Sequence, residues 1–545
     1  MIKISFRPTT LLSKVSVWLL ALALMVPVLT MFYASISASS GVFSHLWQTV
    51  LPDYIQNTLL LGAWVVFLVI VFGVPSAAII SQTNVYGRRF LRWLLLLPLA
   101  MPAYLVAYLY TDLFDYAGPL QRFLRAQFDW QSPQDYWFFD IRTLAGAGVI
   151  IALVLFPYVY MLTRTAFEQQ DKHLLRASRT LGFSAGQTLF KVSIPLARPA
   201  IAVAASLVLM ETLADFATVQ YFAVNTLTTA IYDTWLGYGD IAAANAIASV
   251  LTLLVFIVLV LEQRSRAHQQ HQTNRPNQAQ PLLQLTMWQN LLASGYCWLL
   301  VVAGFLLPMI LLLAMAFDYS TGEQVVELLD TGVNSLTIAA YVATIATVLA
   351  LVFASYRRFS QSKGKQLPLQ ISGFGYAIPG TVLAMAMLAT FGPLDHWLND
   401  LAASMEWQQP GLILSGTIFA IVIALVVRFI AIANGTLASG YDQIAKSLDY
   451  APASLGVSLP KAVGRVHLPL LRPSIFVAWL LVFVEAMKEL PAVLLLRPFN
   501  FDTLSTHIYQ LISDERLEQG ALGAILIVAF GLLPIIWLNK EKAQS

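Results

Sequence analysis

Residues 174–201 read LLRASRTLGFSAGQTLFKVSIPLARPAI, a polar, basic stretch set among long apolar runs and punctuated by Gly182, Pro195 and Pro199. Residues 448–475, LDYAPASLGVSLPKAVGRVHLPLLRPSI, repeat its skeleton with the same internal spacing. Gly182 falls with Gly456, Lys191 with Arg465, Pro195 with Pro469, and Arg198-Pro199 with Arg472-Pro473. A helix broken at a glycine and stopped by an Ile/Leu-Pro pair makes a short helical elbow. Two such elbows on one side of a membrane suggest paired docking surfaces for a two-fold partner.

The surroundings supply the membrane. Only 11% of the 545 residues are charged, against about 25% in a soluble protein. A net charge of +3 makes no case for nucleic-acid binding. The single cysteine, Cys297, lies in an apolar run and offers neither a disulfide framework nor a thiolate metal site. Runs long enough to span fall at about 15–36, 55–80, 91–113, 143–165, 198–223 and 241–262, where a spanning helix needs about 20 residues. They resume at about 289–317, 333–355, 371–391, 411–433, 473–495 and 519–539. The first run is too long for the apolar core of a signal peptide and reads as a spanning helix with a basic inner flank.

Loop charge sets the orientation. One set of loops carries Arg88, Arg89, Lys172, Arg176, Arg264, Arg357, Arg358, Lys446 and Lys540; the alternate set carries Asp115, Asp129, Asp135, Asp140, Glu323, Asp395 and Asp514. Basic loops stay in the cytoplasm, which places both termini, both elbows and the central linker there. That linker, roughly Gln263 to Gln284, is rich in Gln and reads as a polar tether; His268 and His271 within it are weak evidence for a metal tract.

The repeat reaches beyond the elbows. Asn57-Thr58-Leu59 matches Asn334-Ser335-Leu336, Pro102 matches Pro379, and Glu211 and Asp215 match Glu485 and Glu489. The expected fold is an all-α integral membrane protein of about twelve transmembrane helices, arranged as two parallel six-helix repeats with cytoplasmic coupling helices. The first domain covers 1–262 with its elbow at about 168–198, the linker 263–286, and the second domain 287–545 with its elbow at about 442–472. Asn57 and Asn334 read as helix-start caps.

Glu211 and Asp215 stand one helical turn apart and share a face, as do Glu485 and Glu489, with Lys488 between them. Glu211 lies about 20 Å along its helix from Arg198, beyond the bilayer middle. Intramembrane carboxylates are costly and face a polar cavity or a partner. Two readings stand: a carboxylate-lined path for a hard cation, since ferric iron prefers oxygen ligands, or a structural network in which Lys488 neutralises an acid.

With these residues in view, the elbows resemble the coupling-loop signature of importer-type ABC transporter permeases, a glycine followed at a fixed interval by an aliphatic-Pro pair. The tracts ETLADFATVQYFAVNTLTTAIYDTW (Glu211 to Trp235) and FVEAMKELPAVLLLRPFNFDTLSTHIYQLISDERLEQGA (Phe483 to Ala521) are similar to the ferric-iron branch of that family, as two fused permease domains. The resemblance implies an inner-membrane permease that works by alternating access. Two copies of an ATP-binding subunit, carrying ATP-Mg, would dock on the elbows at Arg176, Ala177, Gly182 and Pro195 and at Tyr450, Ala451, Gly456 and Pro469. A periplasmic iron-binding protein would deliver cargo to the opposite face. The family's Glu-Ala-Ala, six residues before the glycine, is replaced here by Arg176-Ala177-Ser178 and Tyr450-Ala451-Pro452. Thiamine, polyamines or an oxyanion are alternative cargoes, and a twelve-span secondary transporter is the alternative class. No phosphate-binding loop, HExxH or nucleophile–base set is present, so the chain reads as a transport subunit with no enzyme chemistry or cofactor of its own.

Overall fold

The computed structural model describes residues 11–37, 40–171, 177–178, 180–267, 283–319, 322–360, 362, 364–454 and 456–544. Arg176, and with it Lys172, Arg179, Lys363 and the linker positions His268, His271 and Asn274, lie outside the described residues.

Among the described residues, twelve apolar helical segments follow one another. They are α1 (Lys14–Ala23 and Val26–Ile36), α2 (Leu51–Gln82), α3 (Arg88–Ala100 and Ala103–Phe128), α4 (Leu144–Glu168), α5 (Ala185–Ala214) and α6 (Ile241–Glu262). After the linker come α7 (Met287–Tyr319), α8 (Val326–Phe359), α9 (Leu367–Ala377 and Gly380–Ser404), α10 (Ile418–Gln443), α11 (Leu459–Lys488) and α12 (Leu517–Gln544). Among the described residues the backbone forms no β-strand, only an isolated bridge between Thr83 and Leu283.

Eight of these helices are long and apolar enough to cross a membrane, and up to eleven if each bent pair counts as one span. The expectation of about twelve spans is met by eight to eleven candidates, and four of the segments depart from a single long apolar helix. α1, α3 and α9 bend by 47°, 92° and 112°, and the apolar part of α12, Leu517–Leu533, is shorter than the others. The two sharp bends have one cause. Pro102 and Pro379 lack an N–H and drive the preceding residue out of the helical region; Met101 (ψ 128°) and Ile378 (ψ 125°) are both extended.

The described helices form two compact units. One comprises 1–46, 231–250 and 326–507; the other comprises 47–230, 251–325 and 508–545. In the second of these, α4 packs along α2, α5 covers both, and α12 packs on α7. Tyr160 on α4 donates its hydroxyl to the Arg92 carbonyl at 3.0 Å, the kind of inter-element bond that counts where lipid is as apolar as leucine and packing is driven by dispersion and hydrogen bonds. In the other unit α10 packs on α11, and α9 on α1 and on the short helix Pro491–Leu496. Each compact unit thus draws a leading span, α1 or α7, from the opposite half of the sequence.

Candidate functional site

Each elbow is built on a left-handed glycine. Gly182 has φ +87° and Gly456 φ +68°. In the first, Phe183 N donates to the Ser178 carbonyl at 3.1 Å; in the second, Val457 N donates to the Pro452 carbonyl at 3.0 Å. Both are six-to-one bonds that close a helix at a left-handed residue. A Cβ at either glycine would meet nothing within 4 Å, so backbone conformation, not space, requires the residue.

The chain then restarts after a serine both times, but only the first serine caps its helix with its side chain. Ser184 and Gln187 form a reciprocal capping box at the head of α5 (Gln187 N to Ser184 Oγ 3.3 Å, Ser184 N to Gln187 Oε1 3.0 Å). Ser458 precedes the head of α11, where Pro460 occupies the first turn. The expectation that the Ile/Leu-Pro pair stops the elbow helix is corrected here. At Ile194-Pro195 and Leu468-Pro469 the helix runs on, through π-turns at Leu189–Ser193 and Val463–His467. Ile194 N bonds the Leu189 carbonyl and Leu468 N the Val463 carbonyl. The wider turn absorbs a proline that would interrupt a regular ladder.

Of the residues expected to dock a partner, Ala177, Gly182, Tyr450, Ala451, Gly456 and Pro469 are exposed and Pro195 is half-buried. The structure adds two that sequence reasoning missed. Leu181 and Phe190 are 78% and 71% exposed on the first elbow, an apolar pair on a polar segment and so a mark of an interaction surface. Their signal was present, as large apolar side chains within a basic loop.

The four acids divide into two kinds. Asp215 and Glu489 do not continue the helical face of Glu211 and Glu485, because α5 and α11 end just before them, with ψ 131° and 124° at the two acids. Asp215 Oδ1 accepts from Thr218 N (3.1 Å) and Val219 N (3.2 Å), and Oδ2 from Thr218 Oγ1 (2.8 Å). Glu489 Oε1 accepts from Ala492 N at 3.3 Å, and Oε2 lies 3.4 Å from Arg428 Nε on α10. Short polar side chains at such a break compete for the free N–H groups of the next turn. Glu211 and Glu485 sit on the last turns instead; Glu485 is 43% exposed, with Lys488 Nζ 4.0 Å away.

The loops behind the breaks match bond for bond. Thr228 Oγ1 donates to the Asp215 carbonyl (2.7 Å), and Ser505 Oγ to the Glu489 carbonyl (2.8 Å). Leu227 N donates to Thr58 Oγ1 (3.0 Å), and Leu504 N to Ser335 Oγ (2.7 Å). Asn57 and Asn334 are not helix-start caps, since both helices begin earlier; each donates from Nδ2 to a loop carbonyl, of Asn225 and of Asp502, at 3.0 Å.

At the acidic-loop end of the first half, a cavity of about 510 Å³ lies among Phe114, Tyr116, Tyr136, Trp137, Asp140 and Arg142. Beside it the N–H groups of Gln131 and Ser132, each 2.8 Å from Asp135 Oδ2, hold that carboxyl below its usual range. Among the described residues, no three His, Cys, Asp or Glu side chains converge on a metal position.

Apolar helices of spanning length, paired glycine-closed elbows and polar breaks inside the bundle define a multi-pass membrane transport subunit. The chain belongs to the family of binding-protein-dependent transport system inner membrane components, whose model matches residues 69–267. Over 504 residues it is 24% identical to the Fe(3+)-transport system permease protein FbpB 2 of Haemophilus influenzae, covering 91% of each chain. Over 534 residues it is 25% identical to the ferric transport system permease protein FbpB of Actinobacillus pleuropneumoniae, covering 93% of this chain and 73% of that one. A sulfate transport system permease protein, CysT of Salmonella typhimurium, is 30% identical over 203 residues, 36% of this chain and 70% of that protein.

Proposed function

We propose that this chain is the fused, two-domain permease of an ATP-driven importer of ferric iron. The observation that carries the cargo is length: the ferric permeases match along about nine-tenths of the chain, the sulfate permease along 36%. The paired elbows support the ATP-driven class, since a secondary carrier has no use for two glycine-closed docking turns. Two copies of an ATP-binding subunit, supplying ATP-Mg, seat on the elbows, and an extracytoplasmic binding protein delivers iron at the acidic end. ATP-driven closure moves both elbows and alternately exposes the path. The matched loop bonds support two parallel six-span repeats, 1–262 and 287–545, as the unit of duplication.

Within this reading Glu211 and Glu485 line the path, while Asp215 and Glu489 hold the helix breaks open beside it. Glu211→Gln combined with Glu485→Gln keeps shape and removes charge. ATP-dependent ferric-iron uptake into proteoliposomes is expected to fall roughly ten-fold, about 1.4 kcal/mol of barrier, with the ATP-binding subunit still bound. Uptake at the normal rate removes these acids from the path. Uptake of sulfate, thiamine or a polyamine in place of iron overturns the cargo while leaving the permease class intact.

The basic loops support a cytoplasmic position for the termini, elbows and linker. A cysteine introduced at Asn274, in a chain whose Cys297 is buried, is therefore expected to resist impermeant maleimide in intact spheroplasts and react after lysis. Labelling from outside would invert the orientation and remove the elbows from the ATP-binding side.

A further inference from the structure

The cavity between α3 and α4 stands on a fixed frame. Gln121, 7% exposed on the helix Pro119–Phe128, donates from Nε2 to the Phe114 carbonyl at 2.7 Å and accepts from the Tyr136 hydroxyl. Arg125 Nη1 donates to the Tyr116 carbonyl at 2.7 Å, with its guanidinium 4.0 Å from the centre of the Tyr116 ring. Tyr136 stacks on Trp130, and Phe139 on Phe138. Trp137, 86% exposed, stands in the lining beside the charged groups Asp115, Asp140 and Arg142. The Arg142 guanidinium comes within 3.6 Å of Glu515 and 3.9 Å of Asp115, loose pairs that leave acceptor capacity on both carboxylates. Residues 112–142 carry five aspartates and three arginines, a net charge of −2.

The second half has a different sequence at the same place. Gly118-Pro119-Leu120 matches Gly392-Pro393-Leu394, and Thr143 matches Thr417. Both threonines cap the span that follows, accepting from Gly146 N at 3.1 Å and from Phe419 N at 3.2 Å. In that register Asp115-Tyr116-Ala117 has no counterpart, and YWFFDIR (Tyr136 to Arg142) falls on PGLILSG (Pro410 to Gly416). The second stretch keeps none of the aromatic rings and none of the charges. Aromatic walls edged by carboxylates suit an aliphatic stem with a cationic head, since ring faces and acids both attract the cation. A bare metal ion fits less well, because among the described residues no three acids converge.

We infer that this cavity is the socket for a Lys or Arg side chain of the extracytoplasmic binding protein, and that through it the binding protein tells the first half of the permease from the second. The inference rests on the proposed importer class with its acidic loops outside, and the experiment separates the two. In proteoliposomes holding the full complex with its ATP-binding subunits, the iron-loaded binding protein is titrated, and ATP-driven uptake gives a maximal rate and a half-saturating concentration. Trp137→Ala is expected to raise the half-saturating concentration roughly ten-fold, as truncating an interface anchor does. Asp115→Lys raises it further, and added salt, which weakens the wild-type interaction, weakens that of the variant less. A misfolded fraction lowers the maximal rate alone, because inactive molecules do not change the concentration at which active ones saturate. Leu412→Ala, in the matched stretch of the second half and 52% exposed, is expected to shift the half-saturating concentration much less. An unchanged value in Trp137→Ala or in Asp115→Lys overturns the socket. A lower value in Asp115→Lys would mean an acidic partner group seated on Arg142, and overturns the assigned chemistry. A loss in Leu412→Ala as large as that in Trp137→Ala overturns the distinction between the halves. If Asp115→Lys does not accumulate, Asp115→Asn decides, a smaller rise supporting the socket and an unchanged value sinking it. If ferric citrate without the binding protein is taken up by the wild type and not by Trp137→Ala, the cavity holds cargo and the inference fails. If wild-type uptake does not respond to the binding protein at all, the importer reading itself has failed, whatever Trp137 does.

Discussion

Replacing both Gly182 and Gly456 with Val is expected to abolish ATP-driven uptake while the membrane domain still inserts. Both glycines lie at positive φ, +87° and +68°, and a non-glycine residue held there costs on the order of 1–3 kcal/mol, more for a β-branched one. Since a Cβ would meet nothing within 4 Å at either site, the loss cannot be a clash with the bundle. It falls on the turn alone, whose six-to-one bonds from Phe183 and Val457 would open and let the exposed elbow helices swing. Ala at the same positions is expected to cause a milder defect of the same kind, and Asn, which tolerates the left-handed region, the mildest. Co-purification of the ATP-binding subunit, measured beside uptake in the same preparations, checks the order. A double Val variant that binds the subunit and transports normally would remove the elbows from the coupling mechanism.

The elbows were legible because their determinants are local. A glycine in a left-handed turn acts within five or six residues, so duplicated spacing reveals it. The run to the proline was legible too, but its consequence was not. Whether Ile194-Pro195 stops a helix or is carried through by a π-turn depends on whether the neighbouring turn can widen, and residue type does not encode that. The bends at Pro102 and Pro379 were visible as matched prolines inside apolar runs, yet hydropathy counts such a run as one straight span. The acids were found by composition, whereas their division into helix-face and cap positions was hidden. Helical periodicity carries Asp215 and Glu489 onward as if the helix did not end. The pairings of Arg358 with Asp449 and of Arg428 with Glu489 were missed for a plainer reason: the partners lie on different helices, 91 and 61 residues apart along the chain, and only packing brings them together.

Arg428 and Glu489 set the second large effect. Glu489→Gln is expected to lower the yield of folded protein severely, because it strands the Arg428 guanidinium, 11% exposed, among apolar helices. Breaking a buried ion pair from one side destabilises by about 3–5 kcal/mol. The pair sits under a tight backbone: a Cβ at Gly380 would collide with Glu489 Oε1, and it would stand 2.9 Å from Arg428 Nη1 and 3.1 Å from Ala492 N. Gly380→Ala should therefore reproduce part of the same defect without touching either charge. The first half provides the control, since the position that matches Arg428 in the elbow register is Val154, and Asp215 is held by the N–H groups of Thr218 and Val219 and the Thr218 hydroxyl. Asp215→Asn leaves no buried cation behind and is expected to be tolerated better than Glu489→Gln. Removing both charges together, as Arg428→Met with Glu489→Gln, should recover much of the lost yield, because replacing both members of a buried pair by groups of similar volume is close to neutral. Detergent-solubilised thermal unfolding and size-exclusion yield measure all four variants. A stable, well-expressed Glu489→Gln that needs no second change would show that Glu489 does not serve as the counter-charge that holds the break beside the path.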